Sequence, residues 1–250
     1  MSDSELTSTE RRPPWGYIMT FVWVVLAVLL LSPVIGIATL FVFRPDAISA
    51  GSIDLLMKDG AAIAISNIAA NFVQVAIVAL AARRPGWSAA EYLGLVWPSG
   101  RDAVTAFLIL IPFLLGYDAL TYLLGRDIVP PFQVDTYRSA RDAGMLPLFW
   151  FALVIAAPVA EEIVFRGFLF RGWVRSERAA LPGIVLISLL FAAMHMQQYD
   201  WFGVLQVFCI GLLLGFTRWR SGSTLLTILM HMLANLWATI ETMIKVEWLS

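Results

Sequence analysis

The chain has little charge, almost no cysteine and almost no histidine. Of 250 residues only 14% are charged, one is cysteine (Cys209) and two are histidine (His195 and His231). One cysteine cannot close an internal disulfide or build a cysteine-rich metal site, so Cys209, inside an apolar stretch, reads as packing. The 17 Lys and Arg nearly balance the 18 Asp and Glu, and no long run of one sign occurs, which removes the basic footprint of a nucleic-acid binder. HExxH, GxSxG, GxGxxG and the P-loop pattern are all missing. The usual signatures of zinc peptidases, α/β-hydrolases, dinucleotide binders and P-loop NTPases are therefore absent. Ser66 and Ser188 fall in apolar segments, but neither has a histidine near it in sequence. There is no internal repeat and no low-complexity tract.

Apolar residues fill the space that charge leaves. They make up 60% of the chain, with a mean hydropathy of +0.79, whereas soluble domains are about 45–50% apolar and about 25% charged. The expected fold is all-α: a multi-pass transmembrane bundle of about seven or eight helices. A helix needs about 20 apolar residues to cross a bilayer. Suitable segments fall near 16–43, 61–82, 103–124, 146–165, 182–196, 201–217 and 223–244. The fifth and sixth are short and nearly continuous through "MQQYD", as in a tight helical hairpin; a re-entrant pair is the alternative. Residues 1–14 are a polar N-terminal tail. The apolar stretch behind them is too long for a signal-peptide core and has no small-residue cleavage site, so it reads as a span. Trp15, Trp97, Trp201, Trp219 and Trp248 lie near segment ends, where interfacial anchors belong. Residues 87–97, with "EYLGLVWP", read as a short interfacial helix around Glu91.

Seven crossings would put 11 Lys and Arg on the side of the N-terminus (11, 12, 83, 84, 101, 166, 171, 175, 178, 218 and 220). Six would lie on the other side (44, 58, 126, 138, 141 and 245). The positive-inside bias then predicts a cytoplasmic N-terminus and an external C-terminus, in a bacterial cytoplasmic membrane.

Ionisable residues inside spans are costly and default to a functional reading. Three clusters matter. In "AAPVAEEIVFRGFLFR" (157–172), Glu162 and Arg166 are four apart, on one helical face. Adjacent Glu161 points about 100° away. Arg166 is thus expected to pair with Glu162 and hold it ionised, leaving Glu161 free. The second cluster is "FAAMH" (191–195), ending in His195. The third is "HMLAN" (231–235), with His231 and Asn235 one turn apart. Taken singly, these are also what a snorkelling helix end or an interhelical hydrogen bond would look like. Together they are the components of water-mediated hydrolysis: a carboxylate as general base, an imidazole to position water, and donors for an oxyanion. Glu161, His195 and His231 also make a possible zinc triad with an open position. Asn67, Asn71 and Gln74 read as interhelical contacts, with lining the site as the alternative. Asp118 is a candidate for facing the cavity, and "GLLLG" (211–215) is a close-packing signature.

"EEIVFRG", "FAAMH" and "HMLAN" resemble, in order, the EExxxR, FxxxH and HxxxN motifs of the CPBP intramembrane proteases. That family contains the type II CAAX prenyl endopeptidases and bacteriocin-processing and self-immunity proteins. The resemblance covers about 145–240. It implies a catalytic Glu161, a His195 that helps hold the attacking water, His231 and Asn235 as the oxyanion-stabilising pair, and Glu162 and Arg166 in support. It leaves open whether zinc or a glutamate-activated water alone does the work. On this reading 15–144 carries the N-terminal transmembrane helices and the interfacial segment, 145–244 is the catalytic core, and 245–250 is a short tail. The expected function is an intramembrane endopeptidase cutting a membrane-associated, possibly prenylated, protein or peptide near the cytoplasmic side. The alternatives are a catalytically silent chaperone or immunity protein that binds a partner in the same cavity, and a proton-coupled transporter. A transporter of this kind often shows inverted repeats, and none is visible.

Overall fold

The computed structural model describes residues 14–43, 45, 56 and 58–249. The expected tail through residue 13, Arg44 and Ser250 lie outside the described residues. Among these, nine helices and no strand form the fold: α1 (Tyr17–Phe43), α2 (Gly60–Ala82), α3 (Ala89–Leu93), α4 (Gly100–Leu123), α5 (Pro131–Asp142), α6 (Leu146–Trp173), α7 (Glu177–Ala193), α8 (Trp201–Ser221) and α9 (Thr224–Trp248). Six of them (α1, α2, α4, α6, α8 and α9) are long and apolar enough to cross a membrane. The protein is an integral multi-pass membrane protein.

Local chemistry sets the helix starts. The side chains of Asp59, Ser99, Ser176, Asp200 and Ser223 each accept a backbone N–H in the first turn of α2, α4, α7, α8 and α9, the usual N-cap arrangement. Ser88 and Glu91 form a reciprocal capping box on α3, so Glu91 of the expected interfacial segment caps its helix.

Successive long helices alternate in direction. Gly36 rests on Ser66 and Ser32 Oγ donates to the Ala70 carbonyl, so α1 and α2 are antiparallel. Gly211 rests on Ser188 and Gly215 on Ile184, which makes α7 and α8 antiparallel and bears out the close-packing reading of "GLLLG". A Cβ on Gly215 would sit 2.7 Å from Ile184 Cγ2. At 17 residues, α7 rises about 26 Å, slightly under the roughly 30 Å hydrocarbon core. It nevertheless joins the end of α6 to the start of α8, on opposite faces of the bundle. Seven helices therefore run from face to face, and α7 with α8 is a through-going hairpin.

One face, here the N-face, holds the start of α1. Trp173 Nε1 donates to the Tyr17 carbonyl, Trp15 Nε1 to the Ala81 carbonyl, and Thr224 Oγ1 to the Leu93 carbonyl there. The opposite C-face holds the end of α9. There Gly60 N–H donates to Ser139, Tyr117 to the Phe202 carbonyl, and Lys245 to Asp127. Arg166 is fully buried mid-bundle and belongs to neither face. Among the described residues the N-face then carries Arg83, Arg84, Arg101, Arg171, Arg175, Arg178, Arg218 and Arg220, and the C-face Lys58, Arg126, Arg138, Arg141 and Lys245.

Residues 131–142, between two of the expected spans, form α5, a polar helix on the C-face that begins with Pro131 at its first position. One sequence expectation is corrected. Asp118 does not face the cavity described below; it accepts from Trp237 Nε1 at 3.0 Å.

Candidate active site

The site is built on α6, which is not a uniform α-helix. Its turns are wide (π-type) over Phe151–Ala156 and again over Ile163–Leu169, with an α-helical stretch, Ala157–Glu162, between. Such wide turns commonly occur at functional sites. Pro158 explains the first. The Ala157 N–H bonds the Ala152 carbonyl, five residues back. The next acceptor in that register is the Leu153 carbonyl, and its partner would be residue 158, which as proline has no N–H. Asn235 Nδ2, on α9, donates to the Leu153 oxygen at 2.8 Å instead. The same pattern precedes Pro33 in α1, where Val25–Leu31 is also wide and Ser32 N–H reaches back to Ala27.

The two glutamates part as their spacing predicts. The Glu162 side chain is 0% exposed and Glu161 is 20% exposed. Arg166 Nη1 donates to Glu162 Oε1 at 2.9 Å. Arg166 is further held by the Gly211 carbonyl, which accepts from Nη2 at 3.0 Å, and by the Phe191 ring, 4.6 Å from its Cζ. Glu162 Oε2 and Arg166 Nε are buried without a hydrogen-bond partner.

Glu162 has a second partner that the sequence does not reveal. His231 Nδ1 lies 2.9 Å from Glu162 Oε1, so the Nδ1 proton goes to the carboxylate. His195 Nδ1 lies 2.9 Å from the Phe191 carbonyl, which can only accept. Each ring is therefore pinned through Nδ1, a common way to fix tautomer and orientation, and each has Nε2 left over. His231 Nε2 is 3.8 Å from Glu161 Oε2. Phe191 packs against both imidazoles, with ring centroids 4.9 Å from His195 and 5.7 Å from His231.

Glu161, His195, His231 and Asn235 line one cavity of about 180 Å³. Phe132, Phe149, Phe191, Val207 and Ile210 form its apolar wall, and Asn67, Gln133, Thr136, Gln198, Tyr199, Thr239 and Thr242 its polar one. Glu162 and Arg166 support from behind. Gln133 connects α5 to the rest: its Nε2 donates to Tyr199 at 3.2 Å and its Oε1 accepts from Thr242 at 3.1 Å. Burial pushes the Tyr199 phenol above its ordinary pKa, so it stays a neutral hydroxyl in that wall. Asn67 lines the cavity and also accepts from Asn71 at 2.5 Å. Asn67, Gln133 and Tyr199 lie outside the three motifs. Asn67 signalled itself as an amide inside a span; the other two had no signal beyond polarity.

The zinc triad does not converge. Among the described residues no three His, Cys, Asp or Glu side chains stand together in a way that would hold a metal ion. Of the three candidates, Glu161 and His231 lie 3.8 Å apart, Oε2 to Nε2. The cavity wall is also sided. Its polar residues Gln133, Thr136, Gln198, Tyr199 and Thr242 lie toward the C-face, whereas Glu161, His231 and Asn235 lie within the bundle.

Residues 143–237, which include every motif position, match the family described as Type II CAAX prenyl endopeptidase Rce1-like. An Escherichia coli protein described as an uncharacterized 24.3 kDa protein is 32% identical over 133 residues, half of this chain and 61% of the relative. The chain thus spans less than two thirds of that relative. No solved structure matches.

Proposed function

We propose, on the match of residues 143–237 to the type II CAAX prenyl endopeptidase Rce1-like family, that the chain is an intramembrane endopeptidase that hydrolyses a peptide bond of a membrane-associated substrate. A single observation carries this reading. The partly exposed carboxylate of Glu161 and two imidazoles, each pinned through Nδ1, face the same small cavity inside a bundle.

The chemistry follows from that arrangement. A water held between Glu161 and His195 Nε2 gives a proton to the Glu161 carboxylate as its oxygen attacks the scissile carbonyl carbon. The carbonyl oxygen becomes an oxyanion. It is met by the Asn235 N–H not engaged by Leu153 and by His231. With its Nδ1 proton committed to Glu162, His231 presents Nε2 to the oxyanion and donates there when it carries the second proton. Collapse of the tetrahedral intermediate breaks the C–N bond, and Glu161 returns its proton to the leaving amine. Bilayer and bundle exclude bulk water, which strengthens each of these interactions. A zinc ion would supply a more acidic water, but the three candidate ligands do not form a set here, and no step above uses one.

A substrate trap tests the reading. Glu161→Gln protein carrying a photocrosslinker in the cavity wall should retain a membrane peptide in its native membrane, and the wild type should convert that peptide to two products. A retained partner that the wild type leaves intact would identify a silent binding protein and reject the endopeptidase.

A further inference from the structure

A second cavity, of about 440 Å³, opens between α4 and α8 at the N-face and shares no lining residue with the Glu161 cavity. The two helices run antiparallel and are tied at their C-face ends. There the Tyr117 hydroxyl donates to the Phe202 carbonyl at 2.6 Å, and the two rings lie 4.9 Å apart, centroid to centroid. Further along, Leu110 of α4 packs with Leu214 of α8 and Leu226 of α9 in one buried cluster. Nearer the N-face that packing gives way to a cleft.

The mouth of the cleft is basic. Arg101, in the first turn of α4, and Arg220, in the last turn of α8, both line it and both are exposed. Among the described residues neither has a hydrogen bond or an ion pair, whereas Arg171, Arg175 and Arg218 of the same face each donate to a backbone carbonyl. The one carboxylate of the lining, Asp102, is already engaged: its Oδ2 accepts from Ser99 Oγ at 2.7 Å, in the cap of α4. One turn deeper, the Thr105 and Thr217 hydroxyls also lack a partner among the described residues. Thr121 and Ser221, on the same two helices, donate instead to the carbonyl four residues back. The rest of the wall is apolar, with Ile109, Leu213 and Phe216. From Arg101 to Ile109 the cleft descends about 12 Å along α4. Trp219, whose ring meets Phe216 edge-on at 6.4 Å, sets the mouth at the depth where tryptophans gather, between headgroups and hydrocarbon.

Charge and depth together select the occupant. Two guanidinium groups and one carboxylate leave an excess of one positive charge, which a single phosphodiester cancels. Guanidinium pairs well with phosphate oxygens, and basic pockets between transmembrane helices suit anionic headgroups. The ammonium of a zwitterionic headgroup would meet only a carboxylate that is already engaged. We propose that this cleft binds one anionic glycerophospholipid. The phosphodiester sits between Arg101 and Arg220, the Thr105 and Thr217 hydroxyls donate to phosphate or ester oxygens, and an acyl chain lies against Ile109, Leu213 and Phe216. The proposal does not rest on the endopeptidase reading.

Native mass spectrometry of the full-length protein in a mild detergent, with added phosphatidylglycerol, phosphatidylethanolamine or inorganic phosphate, tests it without any hydrolysis. One phosphatidylglycerol should stay bound under conditions that strip phosphatidylethanolamine, and inorganic phosphate should not displace it. Arg101→Gln combined with Arg220→Gln should weaken that retention by roughly tenfold or more. Arg178→Gln, which removes an exposed charge of the same face outside the cleft, should leave it unchanged. Leu213→Trp fills the apolar part and keeps both arginines; it should also abolish retention, and it stands in should the double arginine variant not accumulate. Equal retention of the two lipids overturns the anionic assignment, and displacement by inorganic phosphate overturns the lipid assignment. Undiminished retention in both cleft variants, or equal weakening by Arg178→Gln, overturns the site.

Discussion

Glu162 has two partners, and they give its loss two different consequences. It neutralises a fully buried arginine and pins His231. Buried pairs with unsatisfied atoms, such as Glu162 Oε2 and Arg166 Nε, are seldom kept for stability alone, while breaking one side of a buried pair costs about 3–5 kcal/mol. Glu162→Gln should therefore lower the unfolding free energy by roughly that amount, measured by denaturation in detergent, and should also reduce turnover in the fraction that stays folded, because His231 loses its carboxylate. A Glu162→Gln protein as stable as wild type would show that the pair does not carry this energy. Asn235 is similarly double. Removing one oxyanion donor typically costs about 10²–10³ in turnover, and an interhelical hydrogen bond in a membrane protein is worth about 0.6–2 kcal/mol. Asn235→Ala should show both losses in one preparation. Lowered stability with full turnover would leave Asn235 as the partner of Leu153 and nothing more.

At the scale of elements, Pro158 and Asn235 are coupled through a carbonyl that belongs to neither. A double-mutant cycle checks this. In a Pro158→Ala background residue 158 regains an N–H for Leu153 O, so Asn235→Ala should destabilise less than it does in the wild type, by about 0.5 kcal/mol or more; additivity would contradict the register argument. The α7–α8 hairpin makes a second element-scale prediction. Gly215→Ala drives a Cβ into Ile184 Cγ2 and should cost about 1–3 kcal/mol as an overpacked contact, with recovery when Ile184 is cut to Ala. Much of this scale was legible beforehand. Apolar runs marked the seven through-going helices, helical spacing separated Glu161 from Glu162, and two glycines four apart marked the hairpin contact. The remainder was not, for physical reasons. The His231–Glu162 bond joins residues 69 apart, and nothing local to either reports it. The first wide turn of α6 follows from where Pro158 falls in the register, which is settled only once α9 offers Asn235 to Leu153. The α5 helix has too few apolar residues for a span and opens on two prolines, so the span pattern passes over it, although it supplies the Gln133 wall of the cavity.

For the whole molecule, seven through-going helices place the two ends of the described chain on opposite faces, and reporter fusions at both termini should report opposite sides; the same side for both would contradict the crossing pattern. The metal question is also one for the intact protein. Elemental analysis of active preparations should find no stoichiometric zinc, and chelation should leave turnover unchanged; one zinc per active chain, lost together with activity on chelation, would replace the water-only step. The central claim is that Glu161, and not its buried neighbour, activates water in the cavity. Its most direct test is the rate at which purified wild type and Glu161→Gln, matched for thermal stability in the same detergent, cleave a membrane peptide, followed by mass spectrometry. The account predicts two products from the wild type and loss of cleavage, by at least the 10²–10⁴-fold that a general base contributes, in a Glu161→Gln protein that unfolds at the wild-type temperature. Cleavage by Glu161→Gln at the wild-type rate would contradict it.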